Sequence, residues 1–414
     1  MSLANPETSA ALSLLNAKAV RERAHRMLAI GLEDKLPNFR IHLDRMDSAV
    51  DLVLETTRKA YPSLEVPFHS RWRHFVTNND NRWAEVADQI QWPDPAARAR
   101  AEFDLAIVSV FLDAGAGPSW RYHDPKTGLA IGRSEGLGLA SLAMFESGAF
   151  SANPLEPLRV DADVLANLCV ADLERGLQVS DANPLVGLEG RVDLLRRLGA
   201  LVASRPDVFG RFDTPRPGGL FDRLALLADN LQLPAATILS ELLQQLGAIW
   251  PSRLTLGGVA LGDCWKHPAL TTEDATSGLM PLHKLSQWLA YSLIEPLQTA
   301  GIRVTDIDGL TGLAEYRNGG LFVDGGVLAF RDAEDAQREH EVASSLVVEW
   351  RALTVALLDR VADGMRRRLG LDATSLPLAK ILEGGTWAAG RRLARERRPD
   401  ASPPVKVTSD GTVF

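Results

Sequence analysis

The clearest indication of the fold class is LVVEWRALTVALLDRVADGMRRRLG, residues 346–370. Its large apolar side chains recur at steps of four and three residues, which is the period of one face of an α-helix. The positions that carry this period are Leu346, Trp350, Leu353, Leu357, Val361, Met365 and Leu369. Gly370 follows the last of them, where a glycine commonly ends a helix. The pattern predicts a long amphipathic helix with one buried face.

Helical period extends outward from this stretch over most of the chain. A second run starts at Pro281, a favourable first helical residue. Its apolar stripe consists of Leu282, Leu285, Leu289, Leu293 and Leu297. Further helices are predicted over residues 10–30, 46–59, 95–112, 161–174, 188–204, 220–230 and 235–246.

Strand signals are sparse by comparison. The clearest lies in GLFVDGGVLAF (320–330), where two short apolar runs flank a hairpin-like Asp-Gly-Gly turn. We therefore predict a mostly α protein with one small β-hairpin element. Residues 1–394 are expected to form a single helical catalytic domain, either undivided or as two helical lobes around a central cleft. Residues 395–414, which are charged and contain prolines, are expected to be a C-terminal tail.

The composition narrows the class of partner. The chain has 414 residues, of which 46% are hydrophobic and 24% charged, as in a globular protein with a large core. A net charge of -8 argues against non-specific binding to nucleic acid or to an anionic membrane. No 18-residue apolar run and no secretory signal are evident, so we expect a cytoplasmic protein. Two cysteines, Cys169 and Cys264, provide neither a disulfide framework nor a metal-binding spacing.

Glycine, carboxylate and aromatic residues coincide in the segment FLDAGAGPSWRYHD (111–124). Glycines permit close approach of the backbone to a ligand. Asp113, Ser119 and Trp120 would add a carboxylate, a hydroxyl and a flat apolar wall. The alternative interpretation is a helix end followed by a tight turn.

A polar stripe runs along the predicted helix in GLMPLHKLSQWLAYSLIEPL (278–297). Its members are His283, Lys284, Gln287, Tyr291 and Glu295. Such a stripe is usually a solvated face, but aromatic residues are dense here and in the preceding LGDCWKHPAL, which contains Trp265 and His267. Because exposed aromatic clusters are unusual, this density argues against a solvated face and keeps a binding site as the alternative.

Carboxylates and glycines are mixed in TDIDGLTGLAEYRNGGLFVDGG (305–326). Asp308 and Glu315 could have altered pKa values in such a partly apolar stretch. The alternative is a surface turn in which Arg317 pairs with Glu315. A fourth segment, PFHSRWRHF (67–75), could bind a phosphate or could be ordinary basic surface.

Together these segments resemble a known family, the uracil-catabolism proteins of fungi and bacteria, long catalogued as a domain of unknown function. The matching stretches are PFHSRWRHF, VFLDAGAGPSWRY, RSEGLGLASLAMFESGAFS, LGDCWKH, PLHKLSQWLAYSLIEPL, GLTGLAEYRNGGLFVDGGVL, VEWRALTVALLD and LEGGTWAAGR. They span about residues 65 to 392. The resemblance implies a pathway in which uracil, after conversion to its nucleotide and ring opening, yields urea by way of a ribosylurea.

A fainter resemblance to the queuosine-salvage N-glycosidases implies a helical fold similar to DNA glycosylases. Their Lys-x-x-Gln pattern corresponds to Lys284 and Gln287, and their Ala-Asp-Tyr-Arg segment corresponds to 314–317. Here Glu315 replaces the aspartate, and its longer side chain suggests a different substrate base.

These resemblances and the chemistry of the residues lead to one hypothesis: a metal-independent N-ribohydrolase that needs no cofactor. Glu315 would stabilise the ribosyl cation and activate water, with Asp308 or Asp113 as alternatives. The expected substrate-binding residues are Asp113, Ser119, Trp120, Trp265, His267, His283, Lys284, Gln287, Tyr316 and Arg317. The expected phosphate-binding residues are Arg71, Arg73 and His69.

The expected partner is a small nucleoside-derived or nucleotide-derived substrate, and the sequence is compatible with a homo-oligomer. Two other functions are compatible with the same residues. One is a non-catalytic protein that binds a pyrimidine-derived ligand, and the other is a hydrolase that attacks the ureido group.

Overall fold

A computed structural model describes residues 5–78, 80–113, 115–210, 214–250 and 254–408 of the chain. The helices are α1 (Pro6–Ser13), α2 (Ala17–Leu32), α3 (Met46–Ala60), α4 (Arg82–Ala87), α5 (Pro95–Phe111), α6 (Arg133–Glu146), α7 (Ala162–Ala166), α8 (Val170–Gly176), α9 (Leu188–Ser204), α10 (Pro206–Phe209), α11 (Leu220–Leu227), α12 (Ala235–Leu246), α13 (Lys284–Thr299), α14 (Tyr316–Asp324), α15 (Ser345–Leu369), α16 (Leu378–Ile381) and α17 (Trp387–Arg397). The protein is mostly α, as predicted.

The described strands are two or three residues long and form pairs. They are β1 (Phe39–Ile41), β2 (Val76–Thr77), β3 (Asp80–Asn81), β4 (Tyr122–His123), β5 (Ala130–Ile131), β6 (Gln232–Pro234), β7 (Thr255–Leu256), β8 (Val259–Ala260), β9 (Cys264–Lys266), β10 (Leu279–Pro281), β11 (Arg303–Thr305), β12 (Leu328–Phe330), β13 (Glu339–Glu341) and β14 (Lys406–Thr408). The antiparallel pairs are β1–β12, β2–β3, β4–β5, β7–β8 and β9–β10, and the parallel pairs are β6–β11 and β13–β14.

The chain divides into two compact units. The first unit comprises residues 5–69, 254–287 and 306–408, and the second comprises residues 70–250 and 288–305 within the described ranges. In the first unit, α15 packs against α2, α3 and α14, and α14 packs against α17. In the second unit, α5 packs against α6, α9 and α11.

The predicted long helix is confirmed as α15. The Ser344 hydroxyl accepts a hydrogen bond from the Val347 amide at its start, and Gly370 ends it in the left-handed region with φ 66°. Every residue from Leu346 to Leu358 is buried, so the prediction of a single buried face was wrong for this half. Buried charged residues interrupt the apolar run there, and each has a partner in the first unit.

Two of the other predicted helices are interrupted. The predicted helix over 10–30 is divided into α1 and α2, because the Asn16 side chain accepts from the Ala19 amide at 2.9 Å and starts a new helix. The predicted helix over 161–174 is divided into α7 and α8, where Asp172 accepts from the Cys169 amide at 3.0 Å. The predictions over 188–204 and 235–246 agree with α9 and α12.

The hairpin predicted over 320–330 was wrong. Its first half belongs to helix α14, and its second half is strand β12, which pairs with the distant strand β1. The helix could not be predicted from the sequence here, because residues 319 and 320 are glycines and glycine disfavours helices. Gly319 is needed for packing: a Cβ there would lie 2.5 Å from the Trp350 ring.

The helix expected from Pro281 begins three residues later, at Lys284. Pro281 ends strand β10, and His283 follows with φ 48°. The backbone carbonyl of Asp263 accepts from the Leu282 and His283 amides at 2.9 and 3.1 Å. A partner about 20 residues away in sequence thus determines where this helix starts.

The boundary expected at residue 395 lies within α17. Beyond this helix, Val405 is buried and β14 pairs with β13. Residues 395–408 therefore include the end of α17, the buried Val405 and the paired strand β14, and the division of the chain at residue 395 stays a prediction.

Candidate active site

Glu315 is the buried carboxylate at the start of α14. Its side chain is an N-cap: it accepts a hydrogen bond from the Arg317 amide at 2.7 Å and another from the Asn318 amide. The residue is 7% exposed. Capping fixes the position of this carboxylate relative to the helix, and the positive end of the helix dipole favours its charge.

Three influences act on the proton affinity of Glu315. Burial is the largest and raises the pKa of the carboxyl above the ordinary value for glutamate. The two capping amides and the nearby charges of Lys284 and His69 act in the opposite direction. Glu315 thus lies near two basic side chains of the same unit, and a buried carboxyl with a raised pKa is suited to exchanging protons.

Asp263 organises the residues before α13. Its carboxylate accepts from Arg351 at 2.8 Å through each oxygen, from the Trp265 indole at 2.6 Å and from the Lys284 amide at 2.9 Å. Burial opposes ionisation of this group, but the Arg351 charge and these hydrogen bonds hold its pKa well below the usual range. Asp263 is therefore a permanent anion that caps α13 and orients the start of the helix that carries Lys284.

Arg351 extends this network to Glu315. Its Nε donates to the Ala314 carbonyl, one residue before Glu315, at 3.2 Å. The side chain is 1% exposed. One buried guanidinium therefore contacts both the Asp263 carboxylate and the segment that positions Glu315.

Gln287 lies on the next turn of α13 and is fully buried. Its amide nitrogen donates to the Thr311 hydroxyl at 2.6 Å, and its amide oxygen accepts from the Thr311 backbone at 3.3 Å. These contacts attach the 305–315 segment to α13. The polar stripe predicted on this helix is buried at His283, Gln287 and Tyr291, so it is not a solvated face.

The two histidines expected to bind substrate are enclosed by protein. His283 Nε2 lies 3.0 Å from the Leu14 carbonyl, and burial lowers the pKa of the imidazole, which favours its neutral form. His267 is fully buried, with Nε2 3.3 Å from the Glu349 carboxylate. Glu349 also accepts from the Phe39 amide at 2.8 Å.

Asp308 and Arg317 have structural partners of their own. The Asp308 carboxylate accepts from the Leu378 amide at 2.7 Å and pairs with Arg366. Arg317 donates to the Ala401 carbonyl at 2.9 Å and stacks on the ring of Tyr316. The alternative interpretation of this segment as an exposed turn is wrong, since Glu315 and Arg317 are both buried.

The remaining sequence candidates belong to the second unit, except His69, which belongs to the first. Arg71 is fully buried, lies 3.3 Å from the Asp113 carboxylate and donates to the Ser109 hydroxyl at 2.6 Å. The segment 67–75 is therefore not ordinary basic surface at this position. Arg73 pairs with Glu295 at 2.6 Å.

The aromatic and hydroxyl residues of the glycine-rich loop differ in exposure. Trp120 is fully buried, and its indole donates to the Leu177 carbonyl at 2.9 Å. Ser119 is exposed. The substrate contacts proposed for both residues stay predictions.

Three side chains of the first unit were not among the site residues predicted from the sequence: Asp263, Arg351 and Glu383. Each lies in a stretch quoted for the family resemblance. Arg351 carried the clearest signal, because a charged residue within a long apolar helical run must be paired if it is buried. Its partner could not be read from the sequence, since Asp263 is 88 residues away.

Within the described residues, no group of three or more His, Cys, Asp or Glu side chains is placed to hold a metal ion. None of the described helices combines the length and apolar character needed to cross a membrane.

Comparison with known proteins adds to this geometry. A family model described as "Protein of unknown function (DUF1688)" matches residues 13–414. The chain is 39% identical over 416 residues to Protein urg3 of Schizosaccharomyces pombe, an alignment that covers 98% of this chain and 100% of that protein. It is 36% identical over 411 residues to Uracil catabolism protein 4 of Lachancea kluyveri, covering 91% and 92%.

These matches extend over nearly the whole chain and include every segment quoted for the family resemblance, which they confirm. The chain belongs to the DUF1688 family, and it is similar over nearly its whole length to Protein urg3 and Uracil catabolism protein 4.

Proposed function

We propose that this protein acts in uracil catabolism by hydrolysing the N-ribosyl bond of a ribosylurea or its 5′-phosphate. The products are urea and ribose, or ribose phosphate. Similarity to Uracil catabolism protein 4 supports the pathway. The buried carboxylate of Glu315, held at the start of α14 near Lys284 and His69, is the observation that carries the choice of reaction.

The reaction places specific demands on the site. Cleavage of the bond between C1′ and nitrogen leaves positive charge on the sugar, and a carboxylate near C1′ stabilises that charge. The same carboxylate can accept a proton as water adds to C1′. Glu315 has the burial and the fixed position that both tasks require, whereas the Asp308 carboxylate is paired with Arg366.

The surrounding residues take different roles in this proposal. The Lys284 ammonium interacts with the phosphate or hydroxyl groups of the substrate. Gln287 positions the 305–315 segment, because both ends of its amide contact Thr311. Trp265 shields the site from water while its indole holds Asp263. The substrate is a small molecule, and nothing in this scheme requires a second macromolecule.

Product analysis tests the proposal. Purified protein is incubated separately with ribosylurea, with its 5′-phosphate and with uridine, which has the same sugar on an intact base. We expect urea and the free sugar, or sugar phosphate, in equal amounts from one of the first two compounds. Ammonia and carbon dioxide without urea would identify attack on the ureido group instead. Thermal stabilisation by these compounds without turnover would identify a binding protein.

A further inference from the structure

His69 and Glu383 form a second pair of titratable side chains in the first unit. The imidazole Nδ1 lies 2.7 Å from the Glu383 carboxylate, and the two side chains are 13% and 17% exposed. The Tyr61 hydroxyl donates to the other carboxylate oxygen at 3.4 Å. The His69 backbone amide donates to the Ala379 carbonyl at 3.0 Å. Both the ring and the backbone of His69 are thus held in place.

Glu383 lies in an uncommon backbone conformation. Residues Leu382–Thr386 form a single π-helical turn between α16 and α17. Such turns are rare and often occur at functional sites. Four of the five residues in this turn are buried, and Glu383 is the exception. The turn therefore presents one carboxylate from an otherwise enclosed segment.

His69 also lies close enough to Glu315 to influence it. The charge of His69 lowers the pKa of the Glu315 carboxyl, in opposition to burial. The two groups therefore belong to one electrostatic neighbourhood, although they come from segments almost 250 residues apart in sequence. A carboxylate and an oriented imidazole in one neighbourhood form an acid–base pair of the kind that hydrolases use.

The proposed reaction requires an acid as well as a base. When the bond from C1′ to nitrogen breaks, both bonding electrons stay on the nitrogen, and a deprotonated urea is a poor leaving group. Proton donation to that nitrogen removes the difficulty. Glu315 cannot both accept the proton of water and supply this one in the same step, so a separate donor is needed.

We propose that His69, oriented by Glu383, is the catalytic general acid that protonates the departing ureido nitrogen. This inference rests on the proposed function. Nδ1–H donates to Glu383, and the imidazolium gives its Nε2 proton to the leaving nitrogen as the bond to C1′ breaks. Water forms the new bond from oxygen to C1′ and gives its proton to Glu315. Transfer of a proton from Glu315 through solvent to His69 restores the starting state, so the net reaction consumes one water.

A substrate whose leaving group needs no protonation distinguishes the role of the general acid from that of the general base. In 4-nitrophenyl β-D-ribofuranoside the nitrophenolate leaves without protonation, whereas urea does not. We expect His69→Gln to lose on the order of 10²–10⁴ in rate on ribosylurea, or on its 5′-phosphate if that is the substrate, and to stay within several-fold of wild type on the nitrophenyl riboside. Glu383→Gln should show the same selectivity with a smaller loss, and Glu315→Gln should lose activity on both compounds.

The chain offers a matched control in His25. Its Nε2 lies 2.8 Å from the Asp359 carboxylate, so His25→Gln disrupts a similar pair in the same unit. This variant should retain wild-type rates on both compounds, and melting temperatures check that all variants fold.

The possible failures can be told apart. Equal losses of His69→Gln on both compounds, or a wild-type rate of urea release by this variant, would overturn the role of His69 alone. Wild-type protein that cleaves neither ribosylurea, its 5′-phosphate nor the nitrophenyl riboside would contradict the proposed function as well.

Discussion

Arg351 joins the Asp263 carboxylate to the backbone that precedes Glu315. Its two terminal nitrogens each donate to Asp263 at 2.8 Å, and its Nε donates to the Ala314 carbonyl at 3.2 Å. Asp263 in turn accepts from the amide of Lys284, the first residue of α13. The basic and acidic side chains of the candidate site are thus held by one buried ion pair.

Removal of this ion pair should destabilise the protein. Arg351→Gln leaves a largely buried aspartate without its cation, so we expect the free energy of unfolding to fall by about 3–5 kcal/mol in urea denaturation. Arg392→Gln is the control, because Arg392 pairs with Glu55 on the surface of the same unit, and a solvent-exposed ion pair contributes little to the free energy of unfolding. Equal losses for the two variants would contradict the importance assigned to Arg351.

The free energy of unfolding should depend on pH in the direction set by the raised pKa of Glu315. Burial raises the pKa of this carboxyl, so the folded protein binds its proton more tightly than the unfolded chain does. The stabilisation that comes from this tighter proton binding is fully present below the pKa of Glu315 in the unfolded chain. It is lost as the pH rises through the pKa of Glu315 in the folded protein. Glu315→Gln stays neutral, so its unfolding free energy should increase relative to wild type over the pH interval that begins at about 4, the ordinary value for glutamate. A relative decrease over this interval would show that the capping hydrogen bonds outweigh burial.

Lys284 should influence the pH dependence of the reaction through Glu315. Its charge lowers the pKa of the Glu315 carboxyl, so Lys284→Met should raise that pKa further. Because the carboxylate form is the active one, the acidic limb of kcat/KM should move to higher pH. Lys266→Met, which changes an exposed lysine of β9, should leave the limb in place. If the acidic limb of kcat/KM stayed at the same pH in Lys284→Met, the charge of Lys284 would not influence the proton-accepting group.

Asp308 should be a structural carboxylate. It is held by Arg366 and by the Leu378 amide, which leaves Glu315 as the better candidate for the reacting group. We expect Asp308→Asn to lower the melting temperature but to keep kcat within about tenfold of wild type, well short of the loss of a general base. A folded Asp308→Asn protein that has lost about 10³ in kcat would transfer the catalytic role to Asp308.

The local sequence pattern was sufficient to predict the longest helix and its end at Gly370. The reason is that helical periodicity and a left-handed cap depend on residues that are close in sequence. It failed at α14, where Gly319 and Gly320 resemble a turn but permit close packing against Trp350. It failed again at the start of α13, which depends on Asp263. Tertiary contacts decide both cases, and local patterns do not include them.

In the candidate site, too, some residues could be predicted from the sequence, whereas others depend on tertiary contacts. Glu315, Lys284 and Gln287 could be named because they lie at positions that the resemblance to the N-glycosidases implies, and the structure places them in one unit. Asp263, Arg351 and Glu383 were missed because each acquires its role from a partner distant in sequence. Burial of His267 and His283 could not be anticipated either, since a polar residue beside apolar ones can face in either direction.

We claim that the carboxylate of Glu315 is the reacting group. The test is the rate of urea release by Glu315→Gln against wild type, with substrate affinity measured by calorimetry on both proteins. We predict a loss on the order of 10²–10⁴ in kcat, with Kd changed by no more than several-fold. A folded Glu315→Gln protein that still releases urea at more than about a tenth of the wild-type rate would contradict the claim.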